Sequence, residues 1–302
     1  MRQAFTGCGT ALITPFTRSG AVDETAVRRL ARRQIDAGIH FLVPCGTTGE
    51  TPTLTDGERL RVVELVVAEA KGRVPVLAGA GGYNTHEVIE AAQQMARAGA
   101  EGILSVAPYY NKPTPEGLYQ HYKAIADAVP LPIIIYNVPG RTGVNVDVAT
   151  IVRLTAVPNI IGVKEASGNV TQMCEICAAV PSEFLVLSGD DVLTLPVMSV
   201  GGRGIVSVAS NEVPSEMAKM VELAEAGDFA GARRLHQELL PLMQINFIES
   251  SPIPVKAAMA MMGLVEEVYR LPLVPPRPAS RERIASVLRD LGLPTGPATV
   301  RA

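Results

Sequence analysis

The sequence predicts an α/β protein of the (β/α)8 (TIM) barrel class with a C-terminal helical appendage, and three observations carry that expectation. Short β-branched runs alternate with amphipathic helical stretches along most of the chain. Eight such units fit into about 225 residues, the length of a closed barrel rather than an open doubly wound sheet. The runs are apolar throughout instead of alternating with polar residues, as strands buried on both faces of a parallel sheet are.

The strand candidates are 11–14, 41–44, 75–79, 102–107, 132–137, 160–165, 184–189 and 204–209. Most are followed by a helix-start signal. Asp23 precedes the apolar stripe of Val27, Leu30 and Ile35. Thr55-x-x-Glu58 is a capping box ahead of Leu60, Val63 and Val66. Asn84 and Thr85 precede Val88, Ile89 and Ala92, and Thr114-Pro115 sets proline at a first helical position. Asp147, Asn169 and Pro214 mark three further starts. From about residue 228 the pattern is helical. One long stretch, 229–247, is interrupted by Pro241, and 252–262 and 280–291 follow, joined across the proline-rich 272–278. This places a barrel carrying the catalytic site at 1–227 and a helical region packed on it at 228–302.

A hydrophobic fraction of 47% with 19% charged residues fits a well-buried globular enzyme, and a net charge of −3 provides no basic surface for nucleic acid or anionic lipid. The N-terminal apolar stretch is broken by Thr14 and Pro15 and reads as neither a signal peptide nor a membrane span. A cytoplasmic protein with free thiols at Cys8, Cys45, Cys174 and Cys177 is the expectation. Cys174-x-x-Cys177 falls in a predicted helix without the second ligand pair of a zinc site. Asp190 and Asp191 have no neighbouring histidine, since His40, His86, His121 and His236 are scattered. Gly79-Ala80-Gly81-Gly82 lacks the spacing of a dinucleotide loop. Neither a metal nor a nucleotide cofactor is expected.

Lys164 is the residue that speaks most directly of chemistry. It lies in Ile160-Ile161-Gly162-Val163-Lys164-Glu165, an apolar strand, in a chain with few lysines. Desolvation disfavours an ammonium and favours the neutral amine, a nucleophile for carbonyl carbon. The plainer reading is a lysine that leaves the barrel to meet a carboxylate such as Glu165.

In a barrel the reacting groups gather at the C-terminal strand ends. Those ends carry Gly46-Thr47-Thr48-Gly49-Glu50, Pro108-Tyr109-Tyr110-Asn111-Lys112-Pro113, Tyr136-Asn137-Val138-Pro139-Gly140-Arg141-Thr142-Gly143, Lys164, Ser188-Gly189-Asp190-Asp191 and Gly204-Ile205-Val206-Ser207. Each alone is an ordinary turn or strand end. Together they supply an amine, phenols to move protons, hydroxyls and backbone N–H groups for one carboxylate, and an arginine fork for a second.

With these motifs the chain resembles the pyruvate-dependent class I aldolase superfamily of N-acetylneuraminate lyase and dihydrodipicolinate synthase, from Gly9-Thr10-Ala11 through Pro252-Ile253-Pro254-Val255-Lys256. The arginine turn at 136–143 and Ala107-Pro108-Tyr109-Tyr110-Asn111-Lys112-Pro113 make it most similar to the dihydrodipicolinate synthase family. The resemblance implies condensation of pyruvate with L-aspartate-4-semialdehyde, in the route to diaminopimelate and lysine, by a homotetramer of paired dimers. Lys164 would form the Schiff base and Tyr136 would exchange protons at the imine. Thr47 would link Tyr136 to Tyr110 of a neighbouring subunit. Thr48 would hold the pyruvate carboxylate and Arg141 the aldehyde's. The carbonyl of Val206 and Gly189 would line the pocket. The alternative is a sister aldolase acting on another 2-oxo acid, such as 2-keto-3-deoxygluconate, 4-hydroxy-2-oxoglutarate or N-acetylneuraminate. Strongly lysine-inhibited members of the family carry histidines and an asparagine where this chain has Asp56, Arg59 and Tyr83, while Glu87 and Tyr109 are kept. Weak or absent inhibition by L-lysine is expected.

Overall fold

The computed structural model describes residues 2–295; Met1 and the last part of the expected helical region, 296–302, lie outside the described residues. Eight parallel strands alternate with helices: β1 (Gly7–Ala11), α1 (Glu24–Asp36), β2 (Phe41–Val43), α2 (Asp56–Ala70), β3 (Leu77–Gly79), α3 (Thr85–Arg97), β4 (Gly102–Val106) and α4 (Pro115–Ala128) make the first half. The second half comprises β5 (Ile133–Asn137), a one-turn α5 (Pro139–Thr142), α6 (Val148–Leu154), β6 (Ile160–Glu165), α7 (Val170–Ala179), β7 (Leu185–Ser188), α8 (Thr194–Ser199), β8 (Gly204–Ser207) and α9 (Pro214–Glu225). Neighbouring strands run in chain order and β8 pairs with β1. The seam between β2 and β3 closes through a parallel bridge at Leu42 and Val76 and two backbone bonds, Leu42 N–H to Pro75 O (3.0 Å) and Gly79 N–H to Pro44 O (2.9 Å). The chain is a TIM barrel, as its pattern predicts.

The helix starts lie where the capping residues put them. Asp23, Thr55, Asn84, Thr114, Asp147 and Asn169 each accept a backbone N–H with the side chain, and the Thr55–Glu58 box is reciprocal. The first strand differs from expectation. It is Gly7–Ala11, not 11–14, and its Gly-Cys-Gly start carries no β-branched signal. Glycine is needed there because a Cβ on Gly9 would stand 2.1 Å from the Phe41 ring.

Two apolar layers follow from strand alternation. Side chains facing the helices form the large outer core, with Leu42, Ala78, Ile103, Ile135 and Ile205. Side chains facing inward, among them Phe41, Leu77, Ile134, Leu187 and Val206, fill the barrel. Phe5 belongs to this inner set and meets Phe41 edge-on at 5.8 Å, which plugs the N-terminal floor. The C-terminal region adds α10 (Phe229–Ile245), α11 (Ile253–Met261) and α12 (Pro278–Asp290). Helix α10 packs on α9 and runs unbroken past the exposed Pro241, which the sequence reads as an interruption. Helix α12 packs on α10 and α11. No described helix is long and apolar enough to cross a membrane.

Candidate active site

Lys164 faces the barrel interior because β6 carries a bulge. The register against β5 steps from Ile133–Ile160 to Ile134–Gly162, so Ile161 has no partner. Beyond it, Val163 packs on the outer core, Glu165 faces the helices, and Lys164 stands between Tyr136 of β5 and Leu187 of β7. Lys164 is only 6% exposed, and its Nζ lies 4.0 Å from the centre of the Tyr136 ring. Glu165, the carboxylate that the plainer reading offers as its partner, points the other way. It accepts from the Asn137 side chain (2.8 Å), the Gln172 side chain (3.3 Å) and the Ser167 N–H (2.7 Å). Among the described residues no carboxylate pairs with Lys164. Gly189 makes room for the lysine stem: a Cβ there would stand 3.1 Å from Lys164 Cε and 2.6 Å from Ala166 Cβ.

A cavity of about 270 Å³ opens at the C-terminal strand ends. Of the expected site residues, Thr47, Tyr136 and Arg141 line it. Thr47 and Thr48 form a 3-10 turn with Gly49, and Thr48 is buried. No hydrogen bond joins Thr47 to Tyr136 or to Tyr110 among the described residues of the single chain. Arg141 sits on the one-turn helix α5, which ends on Gly143 at φ 72°. One guanidinium nitrogen donates to Ser251 O at 3.0 Å, which anchors the fork at the cavity. Val206 belongs to the same inner cluster as Tyr136. Tyr110 stands apart at 90% exposure, on a loop with left-handed backbone at Tyr110 and Lys112.

Several lining residues are not among those the sequence assigns to the site. Cys45, Thr51, Pro52, Arg59 and Gly79-Ala80-Gly81 all face the cavity. The glycine run that resembles a weak dinucleotide loop is thus part of the wall. A Cβ on Gly79 would stand 1.9 Å from Cys45 O, so the close approach of the end of β3 to the turn after β2 explains the glycine. Burial pushes the Cys45 thiol up to about 12. Burial, and then the phenol of Tyr83 packed edge-on at 5.2 Å, raises Tyr109. Asp191 is buried and tied to the loop after β8, where it accepts from Ser207 Oγ (2.5 Å) and from the Val208 and Ala209 N–H groups (both 3.1 Å). Burial raises its carboxyl even so.

A parallel barrel with a buried lysine at the C-terminal end of β6 sets the class of fold and site, and comparison with known proteins narrows it. The model of the dihydrodipicolinate synthetase family matches residues 4–291, and the chain belongs to that family. A relative from Koribacter versatilis named 4-hydroxy-tetrahydrodipicolinate synthase is 54% identical over 288 residues, 95% of this chain and 96% of its own. One of the same name from Chloroherpeton thalassium is 52% identical over 299 residues, 99% of each chain. The crystal structure of dihydrodipicolinate synthase from Aquifex aeolicus superposes with a TM-score of 0.94 at 44% identity, over 96% of this chain and 99% of that one.

Proposed function

We propose that the protein condenses pyruvate with L-aspartate-4-semialdehyde to 4-hydroxy-tetrahydrodipicolinate through an imine on Lys164. The observation that carries this reading is a buried strand lysine without a carboxylate partner, held against Tyr136 beside the cavity that Arg141 lines. The Lys164 amine adds to the keto carbon of pyruvate, and the keto oxygen leaves as water. The resulting C=N bond draws electrons from the adjacent methyl group, which gives up a proton and becomes an enamine carbon. That carbon attacks the aldehyde. The amino group of the aldehyde substrate then adds to the imine carbon, the bond to Lys164 breaks, and the ring closes with the lysine freed. The iminium is itself the electron sink, so the steps call for neither a metal nor a nucleotide.

The other groups take the roles their positions allow. Tyr136 carries protons between Lys164 and substrate oxygen. Thr48 and its N–H receive the pyruvate carboxylate, and the Val206 carbonyl and Gly189, near Tyr136 and Lys164, flank the bound substrate on that side. Arg141 presents its free nitrogens to the second carboxylate. Thr47 passes protons between Tyr136 and Tyr110 of a neighbouring subunit. The nearly full exposure of Tyr110 on its own chain supports that exchange, within a homotetramer. The test is a coupled assay with both substrates, alongside borohydride reduction in the presence of pyruvate. Turnover and one reduced adduct on the peptide containing Lys164 are expected. An active protein without that adduct, or one that turns over other aldehydes better, would sink the reading.

A further inference from the structure

The loop that carries Thr47 and Thr48 is held in an unusual way. It is bracketed by two non-glycine residues in left-handed backbone, Cys45 at φ 57° and Glu50 at φ 53°. Such a conformation is unfavourable for a residue with a Cβ and persists only where the surroundings leave no alternative. At Glu50 those surroundings come from the C-terminal helical region. Glu50 is fully buried, and its Oε1 accepts from Lys256 Nζ of α11 at 2.5 Å. The same Nζ donates to Val268 O at 2.7 Å and lies 4.2 Å from the Phe16 ring. One ammonium therefore ties the turn after β2, helix α11 and the segment beyond it to a single point. Two residues later, Arg270 grips the next stretch of the same loop. Its guanidinium lies 4.4 Å from the Phe16 ring and donates to Thr53 O (2.9 Å), to Gly20 O (2.8 and 3.0 Å) and to both oxygens of Glu58 in the α2 capping box (2.5 and 2.8 Å). That fork holds the Glu58 carboxyl down to about 2.

A buried ion pair is a poor device for stability alone, since an apolar pair of similar volume serves the fold as well or better. What the pair adds is direction: a charge-assisted bond fixes where the Glu50 backbone sits, and Glu50 N–H in turn closes the turn on Thr47 O at 3.1 Å. We infer that Lys256 and Glu50, reinforced by Arg270, are positioning residues for the pyruvate carboxylate site, and that the C-terminal helices are thereby part of the catalytic apparatus. This inference rests on the function proposed above. Arg141 is held by a different bond, to Ser251 O just ahead of α11, which does not involve Glu50 or the Lys256 side chain. Loss of the Glu50–Lys256 anchor therefore weakens pyruvate binding and spares the aldehyde.

The experiment uses the full chain with both charges of the pair removed, Glu50→Gln with Lys256→Met, so that neither is left buried alone. Folding is checked by circular dichroism and a cooperative melt. The KM for pyruvate, and the pyruvate concentration for half-maximal borohydride trapping, are expected to rise about 10-fold or more, because an ångström of displacement in a positioning group has effects of this size or larger. The KM for aspartate semialdehyde is expected to stay within about 2-fold. Arg270→Gln, at a partly exposed side chain, keeps the test available if the double variant does not fold; a rise of about 3-fold in the same two pyruvate readouts is expected. Unchanged pyruvate dependence in the folded variants, or an equal loss for both substrates, would overturn the inference alone. The absence of any pyruvate adduct in the unmodified protein would overturn the proposed function and this inference with it.

Discussion

The chain buries two lysines, one in strand β6 and one in helix α11, and they have opposite surroundings. Lys164, 6% exposed, ends strand β6 beside the cavity with an aromatic ring for company and no carboxylate. Lys256, 0% exposed, is sealed between Glu50 and Val268 O. Burial pushes the Lys256 ammonium down, and the Glu50 carboxylate works against it. Burial alone therefore does not make an amine nucleophilic. Lys256 is tied to an anion, whereas Lys164 is not, and Lys164 touches Tyr136, which lines the cavity.

The sharpest way to break this contrast is to exchange the lysines' fates. Lys164→Met is expected to lower kcat by at least about 10³-fold, as loss of a covalent nucleophile does, with no pyruvate adduct left under borohydride. An adduct that moves to Lys256, or persists, would end the distinction. Lys256→Met alone is expected to act on the fold. It leaves Glu50 charged and unpaired in the interior, a loss of about 3–5 kcal/mol. Urea unfolding reads this directly. Lys164→Met, which orphans no partner, is expected to stay within about 1 kcal/mol of the parent.

A third buried base sharpens the rule. His121 on α4 has its Nδ1 2.9 Å from Thr85 Oγ1, while its Nε2 is buried with no partner. Burial drives its pKa down to about 4, so the native state refuses a proton that the unfolded chain accepts near pH 6.5. Stability from this group is complete above pH 6.5 and is lost as pH falls towards 4, by up to about 3 kcal/mol. Urea unfolding at pH 7 and pH 4.5 measures it. His121→Asn is expected to flatten that part of the pH dependence, and an unchanged slope would assign it to other groups.

These contrasts were unequally visible before the fold was known. Lys164 stands out because a lone lysine interrupts an apolar run, and the strand ends follow once eight such runs are counted. The direction of Lys164 does not follow, since the bulge at Ile161 sets the phase of β6. Strand β1 is displaced from its expected place because Gly7-Cys8-Gly9 carries no β-branched signal. The Glu50–Lys256 pair spans 206 positions, and neither partner has a local pattern that announces it. The cavity wall at Arg59 and Gly79–Gly81 comes from the first turn of α2 and the end of β3, where no apolar periodicity marks a residue as facing a cavity.

Tyr136 tests whether the ring beside Lys164 is merely packing. If the phenol carries protons, Tyr136→Phe keeps the aromatic face against Nζ and is expected to lower kcat about 10²-fold, with pyruvate affinity changed less. A variant with near-parental kcat would reduce Tyr136 to a wall.

The smallest effect is expected from a free amine, added L-lysine. A bound lysine needs a cation for its carboxylate and an anion for its ammonium, because charges left unpaired on burial are costly. Near Tyr109 on the cavity wall the cation is Arg59, in the first turn of α2. It already faces Asp56 at 3.4 Å and donates to Leu54 O at 3.3 Å. Asp56 would have to be displaced by the ligand's carboxylate, and would repel it meanwhile. Tyr83, packed edge-on against Tyr109, brings a phenol where an amide would accept or donate more readily. Glu87 takes a hydrogen bond from the Asn84 side chain at 2.9 Å and retains acceptor capacity for an ammonium, so half of a site exists. Half a site binds weakly, and titration of L-lysine into the coupled assay is expected to give little inhibition below millimolar concentration. Half-inhibition in the micromolar range would show that Arg59 exchanges Asp56 for the ligand. In that case Asp56→Asn, which frees Arg59, should tighten inhibition further.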